Sequence, residues 1–294
     1  MVKLHYLIMK IITGGSGFIG SAICWRLNTL GFNEIIIIDS DIEGTKQRNL
    51  ENLKYLEFID KETFLGKLSN GIFSGKVDTL YHMGACTSTT EDDMDYLTKN
   101  NYEYSKALGH WCLKNNIRYI YASSAATYGA GEMGYDDDEK LIQKLKPLNK
   151  YGLSKQMFDM WVLDNNLQNK FAGLKYFNVY GPNENHKDDM RSMVNKAYTQ
   201  IKETGKLKLF KSDKPEYGDG EQKRDFIYVK DAVEMTIFFD VTNQTGKSKA
   251  GIYNIGSGRA SSWNELATAI FKAMGKTPVI EYVDMPDNLK NQYQ

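Results

Sequence analysis

The first forty residues constrain the fold of this 294-residue chain more tightly than any other stretch. Ile8 to Thr13 is a short apolar run that reads as a buried strand. Gly14-Gly15-Ser16-Gly17 follows, and then a helix is expected from about Phe18 to Leu30, closed at Gly31. Ile35-Ile36-Ile37-Ile38 is a continuous β-branched run ending at Asp39, the pattern of a parallel strand buried on both faces. Glycines stand in a G-x-x-G-x-x-G pattern at Gly14, Gly17 and Gly20. Gly14 would permit the tight turn, Gly17 would let the backbone approach a pyrophosphate, and Gly20 would allow close helix–strand packing. The helix N-terminus adds free amides and a dipole that favour phosphate. A carboxylate placed like Asp39, at the end of the second strand, holds adenosine ribose hydroxyls. Asp39 read alone favours NAD over NADP, whereas the nearby Lys46 could neutralise a 2′-phosphate.

Beyond this unit, strands are expected at Tyr55–Ile59, Thr79–Met83, Arg118–Ala122 and Leu174–Val179. Helical patterns lie between them, notably Asp95–Asn115 with Tyr104, Leu108, Trp111 and Cys112 along an apolar stripe. Such alternation implies an α/β protein of Rossmann type, a doubly wound parallel sheet with right-handed crossovers. After Gly181-Pro182 the pattern loosens. We therefore divide the chain into a dinucleotide-binding domain at 9–180 and a smaller α/β substrate-binding lobe at 181–294, from which some strands could return to the first sheet. Ser262-Trp263-Asn264-Glu265 fits a capping box before a helix running through Met274.

Lysine plus arginine and aspartate plus glutamate number 37 each, so no global field points to nucleic acid or an anionic membrane surface. No apolar stretch approaches the roughly 18 residues of a spanning helix. The apolar start, Met1 to Ile8, lacks a small-residue cleavage site and runs straight into a strand, against a signal peptide. Cys24, Cys86 and Cys112 are odd in number and sit in apolar patterns, as expected of reduced, buried thiols in a cytoplasmic protein. His82 has no second histidine or cysteine at ligand spacing, so no metal site is expected.

Tyr151 and Lys155, four residues apart, share one helix face. A phenol with a pKa of about 10 carries protons poorly at neutral pH unless a nearby cation stabilises its phenolate, and Lys155 would be that cation. Upstream, Tyr121-Ala122-Ser123-Ser124 could supply a hydroxyl to the same site. His82-Met83-Gly84-Ala85-Cys86-Thr87 closes a strand with small residues suited to a backbone lying against a cofactor. Gly181-Pro182 marks the carboxyl end of another strand, the edge where open α/β sheets bind ligands. Arg224 could grip a phosphate bidentately or pair with a local carboxylate.

With these segments in order, the chain resembles the extended short-chain dehydrogenase/reductase family over nearly its full length. Within it, the chain is most similar to the nucleotide-sugar epimerases that invert C6 of an ADP-linked heptose. The discriminating segments are Gly84-Ala85-Cys86-Thr87-Ser88-Thr89-Thr90-Glu91, Ser123-Ser124-Ala125-Ala126-Thr127-Tyr128-Gly129, Tyr176-Phe177-Asn178-Val179-Tyr180-Gly181-Pro182, His186-Lys187 and Lys223-Arg224-Asp225-Phe226. The resemblance implies Ser124, Tyr151 and Lys155 as the catalytic set, with Lys187 as a second acid/base. It implies a cofactor on Phe18, Ile19, Asp39, Ser40, Lys46, Lys61, Met83, Gly84, Ala85, Cys86, Thr87, Asn100, Lys155, Val179 and Lys187, and NADP rather than NAD. Substrate contacts are implied at Ser124, Asn178, Asp189, Lys196, Phe210, Lys211, Ser212, Asp213, Arg224 and Tyr293. An ADP-heptose substrate and a homo-oligomer, a pentamer in this branch, are also implied, with a place in lipopolysaccharide-core or related heptose glycan synthesis.

Some positions depart from the family pattern. Met83 stands where a glutamate is usual, Lys196 where a histidine is expected to touch substrate, and Asp189 where a small serine is usual. Members of the branch begin at the equivalent of Met9 and continue some tens of residues past Tyr293. The alternatives are another enzyme of the same fold, such as a UDP-hexose 4-epimerase, or a non-catalytic dinucleotide-binding regulator. A 4,6-dehydratase is disfavoured, because Ala125-Ala126 stands where that class carries an Asp-Glu pair. A regulator would be expected to have lost the Tyr/Lys pair.

Overall fold

The computed structural model describes residues 8–40, 45–212, 214–241 and 249–286. Met1–Leu7, Asp213 and Tyr293 therefore lie outside the described residues. In chain order the strands are β1 Met9–Thr13, β2 Ile35–Asp39, β3 Glu57–Asp60, β4 Val77–His82, β5 Arg118–Ser124, β6 Phe171–Tyr176, β7 Asn178–Tyr180, β8 Leu207–Phe210, β9 Lys223–Tyr228, β10 Gly251–Ile255, β11 Ala260–Ser262 and β12 Ile280–Val283. Among the described residues, seven of them form one sheet in the order β10-β6-β5-β4-β1-β2-β3, every pairing parallel.

The reason for this arrangement lies in side chains that have nowhere else to go. Ile35 to Ile38 are all buried, alternating between two cores on opposite faces of the sheet. Ile35 and Ile37 pack beneath helices Phe18–Thr29 and Val229–Val241, with Ile23, Leu27, Val233 and Ile237. Ile36 and Ile38 join the core of the other face, which runs from Phe64 of helix Lys61–Ser69 to Leu108 and Trp111 of Tyr104–Asn115 and Phe158 of Lys150–Asp164. A strand covered on both faces belongs inside a parallel sheet, and β2 lies between β1 and β3. Strand order reverses between β1 and β4, so a crevice opens beyond their carboxyl ends.

The smaller lobe has its own core. Ala197 and Ile201 of helix Met193–Thr204, Leu207 and Leu209 of β8, and Ala267, Ile270 and Phe271 of helix Trp263–Ala273 close on one another. The expected capping box is formed, with Ser262 and Glu265 bonded reciprocally at the start of the last of these helices.

Two expectations are corrected. The single strand anticipated over Leu174–Val179 is two, because pairing to the main sheet ends where the Phe177 amide donates to the Ile255 carbonyl, and Asn178–Tyr180 then pairs with β9 in a second sheet. The helix anticipated over Asp95–Asn115 is interrupted by a π-helical turn, Thr98–Glu103, around the buried Asn101 side chain. The return to the first sheet allowed for beyond 181 is made by helix Val229–Val241 and β10. Ala232, Val233 and Ile237 of that helix and Ile255 of β10 complete the core on one face of the sheet. No helix among the described residues is long and apolar enough to cross a membrane.

The glycine turn shows why side chains are excluded there. Gly14 has φ +64°, and a Cβ on it would lie 2.7 Å from the Gly84 backbone; a Cβ on Gly20 would lie 2.1 Å from the Gly14 carbonyl oxygen. Gly20→Ala should therefore push the first helix off the turn, destabilising the protein by about 1–3 kcal/mol. Urea unfolding would read this as a lower midpoint, accompanied by loss of dinucleotide binding.

Candidate active site

Tyr151, Lys155 and Asp159 form one stripe on helix Lys150–Asp164, whose start is fixed by the Asn149 side chain accepting from the Gly152 amide at 2.8 Å. The stripe faces the carboxyl end of β5. Ser124 is near enough to the Tyr151 hydroxyl to favour its phenolate, so two of the three expected catalytic groups are neighbours. The third, Lys155, donates to the Ala122 carbonyl at 2.9 Å. Burial raises the Tyr151 pKa, and the Ser124 hydroxyl opposes that rise. Burial lowers Lys155 to about 8, with Asp159 and Cys86 pulling the other way.

Behind the stripe sits an ion pair with no solvent exposure, Lys175 on Asp159 at 2.6 Å. Asp159 also accepts from the hydroxyls of Tyr121 at 3.0 Å and Ser123 at 2.7 Å, while Lys175 donates to Thr127 at 2.8 Å. Thr127 in turn donates to the Ser124 carbonyl at 2.8 Å. The pair thus joins catalytic helix, β5 and β6 at one point.

The opposite wall is set by a directed chain of hydrogen bonds. Burial, then the Lys155 charge, lowers His82 to about 3, so its ring is neutral with one donor and one acceptor. Ser105 donates to the Asn101 carbonyl at 2.5 Å, which leaves its oxygen to accept from His82 Nε2 at 2.8 Å. His82 Nδ1 then accepts from Thr13 at 2.6 Å, and Thr13 accepts from the Gly84 amide at 3.2 Å. The Asn101 carboxamide bonds both backbone groups of Cys86, at 2.8 and 3.0 Å, and donates to Ser154 at 3.0 Å. The π-helical turn brings Asn101 into this position. His82 is structural; among the described residues no cluster of His, Cys, Asp and Glu could hold a metal ion.

The expected cofactor residues largely gather at the β1/β4 crevice. Gly14, Gly17, Phe18, Ile19 and Gly20 make the turn and helix start, with Met83, Gly84, Ala85, Cys86 and Thr87 beside them after β4. Cys86 is half-exposed, unlike the buried Cys24 and Cys112, because it lies in that segment facing the crevice. Asp39 is buried and accepts from the Ser16 amide and hydroxyl, the Ser40 amide and Lys46 at 3.3 Å. Lys61 bonds Asn100 at 2.8 Å. Val179 opposes Ile227 in the second sheet, and Lys187 reaches the turn with its ammonium 5.7 Å from the centre of the Phe18 ring. A glycine cradle too close for any Cβ, a helix N-terminus and a buried carboxylate at the end of β2 fit a nicotinamide dinucleotide.

Residues 10–256 match the NAD dependent epimerase/dehydratase family. The chain belongs to that family. It is 48% identical over 97% of its length to an ADP-L-glycero-D-manno-heptose-6-epimerase of Nitratidesulfovibrio vulgaris, covering 87% of that protein. It is 46% identical to the enzyme of the same name from Fusobacterium nucleatum, over 97% of this chain and 88% of the relative. The crystal structure of Helicobacter pylori ADP-L-glycero-D-manno-heptose-6-epimerase superposes with a TM-score of 0.77 at 27% identity, covering 97% of this chain and 87% of that one. A Thermus thermophilus UDP-glucose 4-epimerase in complex with NAD, 24% identical over 96% of this chain and 88% of its own, shares the fold with a TM-score of 0.73.

The residues expected at the substrate are more scattered. Asn178 opposes Phe226 across the β7–β9 pair, and Arg224, two residues before Phe226, lies with its guanidinium 5.9 Å from the Trp263 ring centre. Phe210 ends β8, but Lys211 turns outward to Asp284 at 3.0 Å and the Ser212 amide donates to Asp219. Lys196 donates to the Asp189 carbonyl at 2.5 Å, so these two departures from the family pattern touch each other. An open depression bordered by Glu221, Lys223, Asn264 and Lys272 includes none of the expected site residues.

Sequence reasoning missed Asp159, Lys175, Asn101, Asn49 and Glu184. Asp159 continues the Tyr151–Lys155 spacing, and Lys175 is a charge inside an otherwise buried strand; both signals were present. The other three carry no local mark. Because Lys155 titrates near 8, its ammonium is present below that pH and lost above it. Turnover should fall as pH rises through about 8 to 9, measured as kcat across a buffer series.

Proposed function

We propose that this enzyme inverts C6 of the heptose in ADP-D-glycero-D-manno-heptose, giving the L-glycero epimer through transient oxidation, with NADP as the preferred cofactor. The observation carrying this reading is the helix that places Tyr151 and Lys155 one turn apart against the end of β5, where Lys155 holds the Ala122 carbonyl and Ser124 lies beside Tyr151. The near-full-length likeness to enzymes of that name supports the substrate.

The carbon to be inverted bears an alcohol and no adjacent carbonyl, so its C–H is too weak an acid for direct deprotonation. The bound dinucleotide supplies reversible hydride acceptance at that carbon. Tyr151 as phenolate takes the hydroxyl proton, and Ser124 donates a hydrogen bond to the same oxygen. Since burial alone raises the Tyr151 pKa, the phenolate depends on positive charge close by. Lowering it by about three units corresponds to roughly 4 kcal/mol, within reach of Lys155 together with a cationic nicotinamide ring. On the return step the carbonyl oxygen must regain a proton while the carbon is approached from its other face. Lys187, on a separate segment, serves as the second proton carrier, so that Tyr151 need not act in both poses. Lys46 beside Asp39 is the group that would neutralise a 2′-phosphate.

Tyr151→Phe should abolish turnover while retaining cofactor, and Lys187→Ala should slow inversion by at least a hundred-fold. Both are read by proton NMR of the ADP-heptose epimers, with UDP-galactose as the competing substrate; conversion of UDP-galactose alone would reassign the enzyme to hexose 4-epimerisation. Denaturing the purified protein should release NADP(H), and release of NAD(H) only would remove the role given to Lys46.

A further inference from the structure

Glu184 is a buried carboxylate that the chemistry above does not use. It is 1% exposed, yet it accepts hydrogen bonds from both ends of the segment after Gly181-Pro182. The Gly181 amide donates to Oε1 at 3.2 Å, the Ser192 hydroxyl donates to Oε1 at 2.7 Å, and the Ser192 amide donates to Oε2. A carboxylate filled by three donors closes residues 181–192 into a ring.

Inside that ring the backbone is forced. Asp188 has φ 43° and ψ −116°, a conformation that glycine adopts readily and that costs an L side chain about 1–3 kcal/mol. Unclosed, the segment would relax. Lys187 immediately precedes this joint, half-buried against Phe18. A second tie comes from Asn49, whose carboxamide donates to the carbonyls of Ser16 at 3.0 Å and Asn183 at 3.2 Å and meets His186 Nδ1 at 3.0 Å. The titratable and charged groups of the segment and its surroundings are Lys46 and Asp39 from the cofactor side, Glu184, His186, Asp188, Asp189 and Arg191 within it, and Lys196 on the Asp189 carbonyl. Burial lowers the Lys187 pKa, and Glu184 is the charge that opposes this.

We propose that Glu184 is the positioning residue for Lys187, its carboxylate both closing the 181–192 ring and supplying the counter-charge that holds the Lys187 ammonium at the cofactor turn. This rests on the reading of Lys187 as the second acid/base, and it adds a group that acts through Lys187 without touching substrate.

The test is competitive acetylation of the holoenzyme across a pH series, with mass spectrometry reading the labelling of Lys187, alongside turnover. Glu184→Gln keeps the shape and removes the charge. The expected result is a Lys187 titration midpoint lower by about one pH unit, the order of a single nearby charge, with turnover down at least ten-fold. An unchanged midpoint overturns the proposal, whatever happens to turnover. A lowered midpoint with unchanged turnover upholds the hold on Lys187 but removes Lys187 from the chemistry, a result that Lys187→Ala reveals independently. Should Glu184→Gln not fold, Glu184→Asp retains the charge but cannot span both Gly181 and Ser192. It should keep the Lys187 midpoint and lose turnover five-fold or more, and turnover within two-fold of the parent overturns the ring.

Discussion

The Asp159–Lys175 ion pair is the constraint on which the site depends. Two fully enclosed charges are poor stabilisers in themselves, because desolvation offsets much of their attraction. What they provide is placement. Asp159 cannot leave Lys175, Tyr121 and Ser123 without stranding charge and hydroxyls in the core, so helix Lys150–Asp164 is locked in register against β5. Tyr151 and Lys155 inherit their positions from that lock, and Ser124 inherits its own through Thr127. The groups proposed to move protons are thus held from behind by an ion pair outside the proposed chemistry.

A complementary constraint comes from the cofactor side. The chain from Gly84 through Thr13, His82 and Ser105 to Asn101 has one consistent donor direction. A neutral histidine completes it, and a charged one would break it. Asn101 then fastens the Cys86 backbone and Ser154 together, which couples the crevice wall to the catalytic helix. Two walls held by separate buried networks leave little freedom in the distance between cofactor and phenol.

Much of this was legible in the sequence because it follows from local rules. The glycine turn, the Ile35–Ile38 strand, the capping box at Ser262 and the Tyr151–Lys155 face each depend on residues a few positions apart, where spacing translates into geometry. The splitting of the strand at Phe177 was not legible, since Asn178 to Tyr180 leave the first sheet only because β9, some fifty positions later in the chain, offers a parallel partner. The π-helical turn hides for the same reason: Asn101 is drawn in by Cys86 and Ser154, not by its neighbours. Glu184 has no neighbour in sequence that marks it. Its burial becomes visible only when Gly181 and Ser192 are seen to converge on it.

The path of the chain between the lobes carries a further implication. It leaves the main sheet near Phe177, returns at Val229, and leaves again after Ile255 to build β11 and the last described helix. The smaller lobe is therefore stitched through the main sheet and not appended to it. A single recombination joint could not exchange it for another lobe, because three junctions would have to match at once. Variation in such an architecture is left to point substitutions on the lobe's surface, while the inherited frame stays whole.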